Sequence, residues 1–137
     1  MTKKISKAED KQHRANLLEA CEYVYEAYEE SSSKKRIDLA NKALELSAYC
    51  ADAYMILAGE TNSISKAMEY AKLGMEAGKN EIGKDWDEYA GHFWGFTETR
   101  PYMRCRAALA EFLIIDNRED EAIKHFETML ELNPNDN

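Results

Sequence analysis

"RAALAEFLIIDNREDEAIKHFETMLELNPND", residues 106–136, decides the fold. Its apolar residues fall into two blocks at helical spacing, which predict helices over 101–116 and 118–132. Leu109-Ala110 and Leu113 belong to the first block, Ala122 and Phe126 to the second, and Pro134 follows. Small residues such as Ala110 and Ala122 let two helices approach closely while their large neighbours fill the gap beside them, so the stretch predicts an antiparallel hairpin. Asn117 is expected to cap the second helix, with Asp120 three residues on in a box-like arrangement. Ala122, Ile123, Phe126, Met129 and Leu130 form one stripe expected to close the stack, with Leu132 off the stripe and partly exposed.

The same theme extends upstream. "ADAYMILAGETNSISKAMEYAKLGMEAG" (51–78) repeats it with Tyr54, Leu57-Ala58, Thr61, Ala67 and Ala71 across a shorter turn. "RIDLANKALELSAYCADAY" (36–54) reads as a second helix running into the next first helix, with Ala40, Ala43, Leu44 and Leu46 on one face. "RANLLEACEYVYEAYEESSS" (14–33) spaces Leu17, Leu18, Cys21, Val24, Tyr25 and Tyr28 by three and four, and its serines end it. Helices are therefore expected near 9–30, 34–47, 51–60, 64–77, 101–116 and 118–132, three antiparallel pairs in one all-α domain spanning residues 1–137. The alternative is a six-helix bundle in which the repeat spacing is accidental.

The hairpin at 106–136 resembles the tetratricopeptide repeat (TPR) in its spacing of a large residue, Leu-Gly, Tyr, then Ala, Phe and Pro. Ala110 stands for the Gly, Leu113 for the Tyr and Arg106 for the Trp, the last being the notable departure. A TPR-like array of about three helix pairs, an α-α superhelix, is the fold this implies. On the family's pattern of groove positions, Cys21, Tyr25, Tyr28, Asp52, Met55, Arg104, Ala107 and Glu111 would face a concave groove. "GHFWG" (91–95), "ETRPYMR" (98–104) and "NPNDN" (133–137) also resemble a divergent branch of repeat proteins, the suppressor of tumorigenicity seven family and its bacterial relatives. That likeness implies an all-helical fold used for association and brings no catalytic residue.

Residues 78–99 interrupt the array. They hold Gly78, Gly83, Gly91 and Gly95 and both tryptophans. Ile82, Trp86 and Tyr89 predict a short helix near 81–90, followed by irregular chain over 91–99. Aromatic residues at this density must pack on the helices beneath or present an adhesive surface. The next segment, "PYMRCRAALAEFLII" (101–115), is apolar around most of its circumference, which predicts a central buried helix with Pro101 in its first turn. Arg100, Arg104 and Arg106 sit at the end of that helix where the macrodipole disfavours cations, so something negative is expected beside them. Glu98, Glu111, Asp87 and Glu88 could supply it internally, with Arg104 tying the interrupting segment down. Alternatively, a partner's carboxylate or other anion could.

Composition bounds the function. The chain has 137 residues and a net charge of −8, which repels phosphate backbones and anionic lipid heads, so neither nucleic acid nor membrane is an expected partner. "MTKKISKAEDKQHR" (1–14) is locally basic and is expected to be a solvated, frayed helix start. Cys21, Cys50 and Cys105 form no CxxC pair and read as buried thiols in a reducing, cytoplasmic compartment. His92, Cys105 and His125 lack metal-ligand spacing, and no phosphate loop, GxSxG or HExxH occurs. No enzyme, cofactor, catalytic residue or metal site is expected. The expected function is a protein-interaction or scaffold module that takes a peptide or protein partner in its groove through Tyr25, Tyr28, Asp52, Met55, Trp94, Arg100, Arg104 and Glu111. The alternative is a site for an acidic small molecule beneath the aromatic segment, oriented by Arg100 or Arg104. The end of the array is expected to continue in a longer chain or to meet a second copy in a homodimer.

Overall fold

The computed structural model describes residues 7–134, with side chains from Glu9 onward. Helix α1 spans Lys7–Glu29, α2 Ser33–Leu46, α3 Ala51–Glu60, α4 Ile64–Ile82, α5 Trp86–Tyr89, α6 Arg100–Ile115 and α7 Glu119–Leu132, with one 3-10 turn at Gly83–Asp85. No strand occurs among the described residues. The six long helices pack together. Ser32 and Ser63 start α2 and α4 by accepting hydrogen bonds from the backbone amides of Lys35 and Lys66. Helix α1 is regular from Lys7, and His13 is anchored, with Nε2 2.7 Å from Glu81 Oε2 and its ring edge-on to Tyr49. The frayed start expected through residue 14 is thus corrected over its described part, while residues 1–6 lie outside the described residues.

Two termini depart from expectation for identifiable reasons. Helix α4 passes through Gly78 and stops at Gly83, whose φ of 55° is a glycine conformation. Gly78 serves close approach instead: a Cβ there would lie 3.0 Å from the Tyr102 Cα of α6. The interruption of the array is therefore 83–99, and the helix expected at 81–90 is split between the end of α4, the 3-10 turn and α5. Asn117 does not cap α7, which starts after Arg118 without a side-chain cap. It closes α6: at φ 60° its amide reaches the Ile114 carbonyl at 3.0 Å, while the Arg118 amide reaches that of Leu113 at 2.8 Å. Asparagine tolerates this left-handed position better than most residues, and the two bonds satisfy carbonyls the helix leaves open. Glu119, Asp120 and Glu121 favour the start of α7 through the macrodipole.

Each helix packs against the next long one, and α1 also touches α3, as α3 touches α6. Helices α1, α3 and α6 therefore lie side by side. The seams are narrow because small residues fill them: Ala20, Ala27, Ala40, Ala43 and Ala53 join Val24, Ile56 and Leu57 in one cluster. Between α4 and α6, Gly74 faces Cys105 so closely that a Cβ would meet its Sγ at 2.6 Å.

Residues 83–99 fold onto the last hairpin. Phe93 and Thr99 are fully buried, and Trp86 meets Phe93 and Tyr102 edge-on at centroid distances of 4.6 and 4.9 Å. Such pairs add about 0.5–1.5 kcal/mol each beyond their burial. The Gly91 and Phe93 amides donate to the Leu132 carbonyl at 2.9 and 3.2 Å, and the Trp94 amide donates to Asn133 Oδ1 at 3.1 Å. The segment thereby satisfies the open end of α7. Leu132, expected to be partly exposed, is buried in this contact. The stripe expected to close the stack is divided: Ala122 is buried and Met129 half-buried, whereas Ile123, Phe126 and Leu130 are exposed. The apolar arc of α7 is wider than one contact, and the rotation that buries Leu132 turns the other edge outward.

Candidate functional site

Helix α1 supplies the first element of the site by an inversion of the usual amphipathic order. Its small residues Ala20, Val24 and Ala27 are buried, while Tyr25 and Tyr28 are 67% and 60% exposed and Leu18 is exposed as well. The six residues spaced by three and four thus divide between seam and surface, because the tight seam with α2 and α3 admits only the narrow side.

Helices α3 and α6 supply the second element. Arg104 grips Asp52 with both arms, Nε to Oδ1 at 3.1 Å and Nη2 to Oδ2 at 2.7 Å. The Arg104 side chain is 45% exposed and that of Asp52 19%. Tyr28 stands close enough that burial first, and the Asp52 charge next, push its phenol up to about 12, with Arg104 opposing. Behind the pair, Cys105 donates to the Ala51 carbonyl at 3.7 Å, and burial, then Asp52, push its thiol up to about 12. The Cys50 thiol is raised by its hydrogen bond with Cys21 and by burial, and that same bond lowers Cys21. Cys50 and Cys105 are buried, but Cys21 is only half-buried, a correction to its expected burial.

The expected residues therefore fall in different places. Tyr28, Asp52 and Arg104 come together, Tyr25 is exposed just before Tyr28 on α1, Met55 packs half-buried against the cluster of Ala51, Ala77 and Cys105, and Glu111 is exposed farther along α6. Trp94 and Arg100 belong to the turn entering α6, where Arg100 Nε donates to the Trp94 carbonyl at 3.0 Å and Trp94 packs half-buried on the aromatic cluster. The expected pairing of these arginines with nearby acids is corrected: no ion pair within 4.0 Å joins any of the three to Glu98, Asp87, Glu88 or Glu111 among the described residues. Arg104 projects toward α3, away from residues 83–99, so it braces two helices rather than the aromatic segment.

The fold also forms a concavity of about 410 Å³. It lies between α4 and α6, lined by Lys72, Met75, Glu76, Lys79, Asn80, Tyr102 and Arg106. Ending α4 at residue 77 hid it, since Lys72, Glu76 and Lys79 share a helical face only when the helix continues. Arg106, in the position where the repeat pattern has a Trp, was the visible signal.

No cluster of metal-ligating side chains occurs among the described residues, and none of their helices is long and apolar enough to cross a membrane. The chain matches no family model, no curated protein and no solved structure.

Proposed function

We propose that the three hairpins form a tetratricopeptide-like array and that the chain is a protein-interaction module, taking a peptide or protein partner along the face of α1, α3 and α6. The observation that carries this reading is the inverted first helix, with Tyr25 and Tyr28 exposed and Tyr28 within range of the Arg104–Asp52 charges. Tyrosine and arginine are enriched at binding surfaces because each joins apolar contact area to a directional polar group. The order of helix neighbours supports the array, since the first helix of each later hairpin packs against both helices of the hairpin before it. Three unpaired thiols suit a reducing, cytoplasmic setting. For an acidic ligand, the second reading, Arg104 would have to leave Asp52, and Arg100 has its Nε already turned to the Trp94 carbonyl. It is favoured only at Arg106, in the separate cleft.

Affinity capture tests the module. The wild-type chain should recover a partner whose affinity falls at least about 30-fold, roughly 2 kcal/mol, in the Tyr25→Ala/Tyr28→Ala double variant. Lys42→Ala, on the exposed side of α2, should leave it unchanged. Equal recovery by the double variant and the wild type would overturn the reading.

A further inference from the structure

The cleft between α4 and α6 concentrates positive charge in a chain of net charge −8. Lys72, Lys79 and Arg106 line it against one carboxylate, Glu76, and none of the four makes an ion pair within 4.0 Å among the described residues. Arg106 is held by its other end: Nη1 donates to the Tyr102 hydroxyl at 2.5 Å, and the guanidinium carbon stands 6.0 Å from the Tyr102 ring centroid. Its Nε is buried without a hydrogen-bond partner, and so is Nδ1 of His125 on α7. His125 lies near enough to Arg106 and Lys72 to feel both charges. A buried polar atom without a partner costs free energy, and no carboxylate of the described residues pairs with Lys72, Lys79 or Arg106.

We infer that this cleft binds a small oxyanion, a phosphate or carboxylate group of a soluble molecule, with the Arg106 guanidinium and the Tyr102 hydroxyl as directional donors and Lys72 and Lys79 as flanking charges. Arg106, already oriented by Tyr102, presents its guanidinium to the cleft with little left to order. Lys72 and Lys79 stand two helical turns apart, about 10 Å along α4, which suits an anion with two charged groups better than a single compact one. The volume is of small-molecule size, and Met75 gives it an apolar wall. Glu76, between the lysines, selects against anions that would have to crowd it.

Calorimetry and amide chemical shifts test this with pyrophosphate and citrate as probes. Saturable binding with Kd below about 1 mM is expected for at least one of them, with shifts centred on α4 and α6. Preference for pyrophosphate assigns a phosphate ligand and preference for citrate a polycarboxylate. Arg106→Lys, which keeps the charge but removes the Nε donor, should weaken binding about tenfold. The Lys72→Ala/Lys79→Ala variant changes two exposed residues and should fold normally while weakening binding at least as much. Arg118→Ala, outside the cleft, should bind as the wild type does. Absence of saturation by either probe up to about 10 mM, or undiminished binding in both cleft variants, would overturn the inference. Neither result bears on partner capture through Tyr25 and Tyr28, so the two proposals fail separately.

Discussion

Arg104 and Arg106 are two residues apart on one helix and meet opposite fates. Arg104 turns toward α3, where both its arms close on Asp52. Arg106 turns toward α4, where two lysines share its space and its Nε is buried without an acceptor. Two residues on a helix correspond to a rotation of about 200°, enough to place one cation on the face of the first helices and the other in the cleft behind. An arginine paired inside the chain braces the fold, whereas one oriented but unanswered is available to something from outside.

The most severe way to break this contrast is to remove the support under α6. Phe93 is fully buried beneath its first turns, so Phe93→Ala should cost about 3–5 kcal/mol and lower the melting temperature more than any arginine variant. A smaller loss would mean that residues 83–99 are not part of the core. Gly78→Ala acts on the α4–α6 seam, where the new Cβ would press on the backbone of Tyr102 at 3.0 Å; about 1–3 kcal/mol is expected by chemical denaturation.

The arginines themselves should separate in sign as well as size. Arg104→Ala loses a partly exposed bidentate pair and should cost about 1 kcal/mol, the upper range for such a pair after screening by solvent and salt. Arg106→Met removes a buried, unanswered donor and should be neutral or slightly stabilising, within about 0.5 kcal/mol. Equal losses in the two variants would erase the contrast. The smallest effect concerns His125, whose pKa is held below its ordinary 6.5 by burial first and by Arg106 next, with Lys72 adding to the depression and Glu121 opposing it. A depressed pKa favours the neutral ring in the fold, so this contribution is complete above pH 6.5 and is lost as pH falls through the folded value. His125→Gln should flatten that part of the pH–stability curve.

The six long helices were legible because their apolar spacing is a local property of the chain, and Ala40, Ala43, Ala110 and Ala122 marked seams that are in fact buried. The failures share one cause, the dependence of a side chain's partner on how a helix is rotated within the whole. A glycine at 78 reads as a stop unless the backbone of Tyr102 beside it is known, and Asn117 fits either end of a helix until the turn is built. Leu132 was read as exposed because its cover comes from residues 91–93, far away in sequence. For the same reason Arg104 and Asp52 can each be placed among groove residues from the sequence without their pairing being visible, since Asp52 lies 52 residues away along the chain.

The contrast on α6 can be read directly from the arginine Nε–H resonances in a proton–nitrogen correlation spectrum during titration with pyrophosphate. Arg104 Nε–H should stay fixed throughout, held by Asp52, while Arg106 Nε–H moves progressively and saturates as the anion meets its guanidinium. A spectrum in which the Arg104 signal moves and that of Arg106 does not, or in which neither responds, would contradict the division of the molecule into a braced face and an open cleft.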